Sequence, residues 1–128
     1  MKYIKIYEDF KNTELTDPFM DLIDDGFTVG AIFNKNYNFN YRYRIDIKPV
    51  NKLDFFANNG FSIDDIKETF LFAIPYLESI GVKVRDFFIR MKEYNGTKSL
   101  YRTYKDLDDL FERIDSEDVI YELSIFLK

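Results

Sequence analysis

Neither cysteine nor histidine occurs among the 128 residues. Disulfides and thiolate chemistry are therefore excluded. So are the usual zinc, haem and iron–sulfur ligand sets. Neither a serine–histidine nor a cysteine–histidine nucleophile pair can be assembled within this chain. The five glycines are scattered singly, so there is no phosphate-binding loop and no glycine-rich dinucleotide turn. Long apolar runs are missing too. The longest, Phe70 to Leu77, contains Pro75 and is far too short to cross a bilayer. The opening Met1 to Ile6 has no apolar stretch of the signal-peptide kind. These absences predict a cytoplasmic protein with no cofactor, no metal and no membrane role.

Apolar and aromatic residues are abundant. The chain is 46% hydrophobic and 19% aromatic, with 14 Phe and 10 Tyr, enough for one well-filled core. Periodicity then divides it. Residues 2–7 read as a strand with Ile4 and Ile6 on one face. Asp17-Pro18 reads as a helix start, and Phe19, Leu22 and Ile23 form its apolar stripe up to Gly26. Phe27 to Asn34 alternates as a strand, and the stretch from Asn34 to Asn38 is turn chemistry.

The clearest strand follows. Phe39, Tyr41, Tyr43, Ile45 and Ile47 face one way, and Asn40, Arg42, Arg44, Asp46 and Lys48 the other. Ser62 with Asp65 forms a capping box ahead of a helix carrying Ile63, Ile66, Phe70, Ile74 and Leu77, which Pro75 should kink and Gly81 should end. Residues 82–91 form a strand with a phase slip at Arg85-Asp86, a bulge signal. Asn95-Gly96 signals a hairpin returning over 98–103. Thr103 with Asp106 is a second capping-box candidate, before a stripe of Leu107, Leu110, Phe111 and Ile114. From Val119 to Leu127 strict alternation favours a strand over the rival helix.

The expected fold is one α+β domain over residues 1–128. It has a mixed or antiparallel sheet of about six strands with three helices packed on one face, in the order β-α-β-β-α-β-β-α-β. The segments 21–29 and 76–84 resemble each other as helix end, Gly and strand. Any helix-to-strand junction of this kind gives that pattern.

Charge is segregated. Residues 8–25 hold seven acidic and one basic group, and residues 104–128 hold eight acidic and three basic. Residues 35–52 hold five basic and one acidic, and residues 81–103 six basic and two acidic. With helices on one face of the sheet, Arg42, Arg44 and Lys48 project from the other, joined by Lys83 and Arg85, and by Arg90 and Lys92 if the bulge restores the phase. That basic face suits an acidic partner or a phosphate backbone. A solvated face that aids solubility and deters edge pairing accounts for the same charges. The acidic side is carried by Asp17, Asp21, Asp24 and Asp25 with Asp106, Asp108 and Asp109. The interleaved Tyr41-Arg42-Tyr43-Arg44 has the composition of a base-stacking platform. Period two, however, assigns both tyrosines to the core and leaves Tyr37, Phe88 and Tyr94 as the exposed aromatics.

Acidic pairs such as Asp64-Asp65 and Glu117-Asp118 fall at element starts, where carboxylates complement the helix dipole. Asp46-Ile47-Lys48 has the form of the metal-and-lysine strand of restriction-like nucleases, but the strand from Phe27 to Phe33 lacks the second acid such a site needs.

The opening Tyr3 to Phe10, followed by Met20-Asp21-Leu22-Ile23-Asp24-Asp25-Gly26-Phe27, resembles small accessory proteins of tailed bacteriophages. The resemblance implies a class only: proteins that bind and block a host protein, defence nucleases included. The leading expectation is therefore a non-enzymatic interaction protein, an inhibitor of a host or defence factor, with an acidic face that mimics the charge of a nucleic acid. A nucleic-acid-binding module using the basic sheet face is the alternative, and a metal-dependent nuclease built on Asp46 and Lys48 comes third. A homo-oligomer through an unpaired sheet edge is a further arrangement the pattern admits.

Overall fold

The computed structural model of the chain describes residues 12–35, 40–50, 60–93 and 98–128. The expected strand over residues 2–7, the turn at 36–38 and the Asn95-Gly96 turn lie outside them.

The first helical segment is built of α1 (Asn12–Thr16), a 3-10 turn (Asp17–Phe19) and α2 (Met20–Asp24). Winding begins ahead of Asp17, so Asp17 lies within the segment and does not cap it. Leu15, Phe19 and Leu22 are its buried residues, at helical spacing, whereas the expected Ile23 is exposed. Gly26 ends the segment at φ 97°, in the left-handed region that favours glycine.

Strand β1 (Phe27–Phe33) pairs antiparallel with β2 (Tyr43–Pro49), Val29 opposite Ile47 and Ala31 opposite Ile45. Helix α3 (Asp64–Ser79) is entered through Ser62, whose N–H donates to the Asp65 carboxylate at 3.0 Å. The Ser62 hydroxyl accepts from the Asp64 N–H at 3.2 Å, one residue earlier than a standard box. The helix runs unbroken through Pro75, and Gly81, at φ 92°, turns the chain out of it.

Strands β3 (Val84–Lys92) and β4 (Ser99–Tyr104) pair antiparallel, and Glu93 N–H still reaches Lys98 O beyond them. Helix α4 (Leu107–Arg113) leads to β5 (Ile120–Leu127). The N-cap of α4 is Asp106, which accepts from Asp109 N–H. Thr103 belongs to β4, so the capping box is shifted by three residues from the expected one.

The sheet order is β1-β2-β5-β3-β4, and every pairing between these strands is antiparallel. The described residues hold five strands where six were expected. The last segment is a strand: it inserts between the two hairpins and buries Leu123, Ile125 and Leu127. Among the described strands, the resembling segments 21–29 and 76–84 feed unequal places, since β1 ends the order and β3 lies beside the central β5. Register shifts occur at Val84/Asp86, where the bulge was expected, and also at Arg90/Met91.

The core lies between the helices and one sheet face. Phe70 of α3 meets Phe19 edge-on at 5.5 Å and stacks on Phe87 of β3 at 6.1 Å. Ile45, Ile47, Ile89 and Leu123 lie fully buried in the same cluster. No described helix is long and apolar enough to cross a membrane.

Candidate functional site

The two faces of this α+β layer pair carry different chemistry. On the open face of the sheet, which no described helix covers, strand register places Arg44 and Asp46 of β2 beside Phe126 and Ser124 of β5, and these beside Asp86 and Phe88 of β3, with Arg90 beside Glu122. Alternation puts Lys48 and Lys92 on the same face. The alternation expected for β2 holds from Tyr43 to Lys48, with odd positions buried and even positions reaching outward.

Two cations of the basic face expected there are held in ion pairs. Arg44 Nε lies 3.0 Å from Asp46 Oδ1, and its Nη2 donates to Oδ2 at 3.0 Å. Arg85 Nε lies 3.3 Å from Asp86 Oδ2. Arg90 donates to Ser99 Oγ at 3.3 Å. Lys48 and Lys92 are exposed. Lys83 is also exposed, but it sits just ahead of β3 and strand alternation assigns it to neither face. Arg42 precedes β2 and is half-buried, its N–H donating to Leu127 O at 2.7 Å. The seven expected basic residues thus do not form one continuous cationic surface.

Asp46 is committed to the sheet. Besides Arg44 it accepts from the buried Ser124 hydroxyl at 2.7 Å, and its cross-strand partners are Gly30 and Ser124. No group of three or more acidic side chains placed to hold a metal occurs among the described residues. Strand β1, which pairs with β2, carries no acidic side chain to join Asp46.

Aromatic placement departs from the expectation. Asn40 adopts φ 60°, which breaks the strand ahead of Tyr43. Tyr41 leaves the core and packs on Phe126 of the open face, ring centroids 4.8 Å apart. Phe126 meets Phe88 at 6.4 Å, and Phe88 stacks on Tyr101 of β4 at 5.7 Å. Tyr101 is 59% exposed. The Arg85 guanidinium lies over Phe126 at 5.1 Å and over Tyr41 at 5.9 Å.

On the helical face the acidic residues divide. Asp17, Asp21, Asp24 and Asp25 line a groove of about 600 Å³ between the first helical segment and α3. Asp64, Asp65 and Glu68 line the opposite wall. Seven carboxylates thus share one groove, and no described lysine or arginine lines it. Asp106, Asp108 and Asp109 lie elsewhere, at the start of α4, where Asp109 also accepts from Lys105 N–H and lies 3.5 Å from Arg113.

Apolar side chains accompany the carboxylates. Met20 and Phe72 line the groove, and Phe72 is 64% exposed. Leu71, 54% exposed, and Tyr76, whose ring stacks on Phe72 at 6.3 Å, extend the patch along α3. The core takes Ile66, Phe70, Ala73, Ile74 and Leu77 from this helix, so Leu71, Phe72 and Tyr76 form a second apolar stripe. Neither that stripe nor the contribution of Asp64, Asp65 and Glu68 emerged from the sequence reading. The available signal was Phe70 to Leu77 itself, apolar around more of the helix than one packed face can cover.

Comparison with family models, with curated proteins and with solved structures finds no match for this chain.

Proposed function

We infer that the chain is a non-enzymatic interaction protein that docks a basic protein surface through the groove between its first helical segment and α3. The observation that carries this is the joining of an exposed apolar patch to seven carboxylates in one groove. An apolar centre supplies affinity that survives salt, while a one-signed rim steers the encounter and selects a partner of opposite charge. Carboxylates at both walls resemble, in charge alone, the phosphates of a nucleic acid. The natural occupant is then the nucleic-acid-binding site of another protein. The resemblance to phage accessory proteins directs this reading toward a host or defence factor, and inhibition follows from occupying its site.

The test is a comparative capture from host lysate. The parent chain should retain a specific basic protein at low salt, and an excess of duplex DNA should release it. Phe72→Ser should weaken retention about tenfold or more, as truncating a central apolar anchor does. Asp21→Lys with Glu68→Lys should abolish it. If parent and variants retain the same proteins, or none, the reading fails.

A further inference from the structure

We propose that the open sheet face binds single-stranded nucleic acid by stacking, independently of the helical groove. Four rings from four neighbouring stretches of chain form one contiguous row: Tyr41 ahead of β2, Phe126 of β5, Phe88 of β3 and Tyr101 of β4. They lie on the sheet face away from the core helices. Cross-strand aromatic contact by itself stabilises a sheet. It does not account for the cations set among the rings. Arg85 lies over two rings of the row, and Arg90 lies over Tyr121 at 5.1 Å. Exposed Lys48 of β2 and Lys92 of β3 lie on the same face.

Counted by register, with Arg85 added from its ring contacts, this face holds five basic and three acidic side chains in a protein of net charge −5. The matching ligand needs flat apolar faces and negative charge along one chain. A single strand of nucleic acid has both: bases that stack on aromatic rings and arginine planes, and phosphates that meet the lysines. In a duplex the base faces are already stacked on one another, so the row favours unpaired strands. Because stacking reads the ring face, little sequence preference is expected. The Asp46 and Asp86 ion pairs subtract from the cation count, so binding should depend more on stacking than on charge.

Fluorescence anisotropy of a labelled oligothymidylate of about 12 nucleotides, at about 50 mM salt, tests this. Binding should fall about tenfold in Tyr101→Ala and in Phe88→Ala, with the salt slope unchanged. Lys92→Gln should flatten that slope by about 0.7, one phosphate contact on a single strand. Tyr101→Leu, which keeps bulk in the exposed edge strand, separates lost stacking from lost folding and should bind as poorly as Tyr101→Ala. Oligouridylate in place of oligothymidylate should bind comparably, since stacking does not need the 2′-hydroxyl. Phe72→Ser, on the opposite face, should bind as the parent does, which separates this result from the helical groove. No anisotropy change at low salt overturns the proposal. So does equal binding of duplex, or ring variants that bind like the parent.

Discussion

At the residue scale, the side chain with the clearest unmet need is Tyr104. Its ring is 1% exposed and lies under the Arg113 guanidinium at 5.0 Å, while its hydroxyl, buried, has no hydrogen-bond partner among the described residues. Desolvating an unpaired hydroxyl costs about 1–3 kcal/mol. Removing only that oxygen keeps the ring, its packing and the cation–π contact. Tyr104→Phe should therefore leave stability unchanged or raise it by about 1 kcal/mol, read as a higher urea midpoint at constant slope. A loss of stability would mean that the hydroxyl has found a partner. Asp46 is the contrasting case. Its carboxylate is fully used by Arg44 and Ser124, which is why a residue with the look of a metal ligand is part of the sheet's own wiring.

At the element scale, α4 has seven residues, too few to persist without packing and caps. Its start is fixed reciprocally: Asp106 Oδ1 accepts from Asp109 N–H at 2.8 Å, and Asp109 Oδ2 accepts from Lys105 N–H at 3.0 Å. Asp106→Ala should cost about 1 kcal/mol. Asp108→Ala, outside this pair, should change stability by about 0.5 kcal/mol or less, both measured by urea unfolding. Equal effects would show that dipole charge, and not the cap geometry, holds the helix.

The elements also show what a sequence can disclose. Strand β2 was legible because one face is buried and period two fits only a strand, whereas β5 had a helical rival that strict alternation from Val119 to Leu127 outweighed. The turns out of α2 and α3 were legible because Gly26 and Gly81 stand where left-handed backbone is needed. The aromatic row was not legible. It depends on Asn40 adopting φ 60°, a conformation asparagine tolerates but does not require. One such residue moved Tyr41 from the expected core to the opposite face. The Arg44–Asp46 pair was half legible: spacing of two put both on one face, but counting cations alone missed their neutralisation. The start of the first helix was missed because Asp17-Pro18 carries a start signal that continued winding from Asn12 overrides.

At the scale of the whole molecule, the groove exists only in three dimensions. Residues 17–25 and 64–68 are separated by the whole β1–β2 pair and more, and along the chain each acidic set reads as local helix chemistry. Folding brings seven like charges to the two walls of one groove. Asp64 and Asp65 are matched to the first turn of α3, but Asp24 and Asp25 sit at the carbonyl end of α2, where the helix dipole disfavours negative charge. A surface held against such repulsion is expected where binding, not folding, determines the residues. Asp24→Asn and Asp25→Asn should each stabilise the chain by about 0.3–1 kcal/mol at low ionic strength. The gain should shrink as salt screens the exposed charges, and the same pair of substitutions should weaken capture of a basic partner. Thermal melts of parent and double variant at low and high salt decide the matter. If the double variant is no more stable than the parent at low salt, the carboxylates are not in electrostatic conflict, and the groove loses the trade-off expected of a surface kept for a partner.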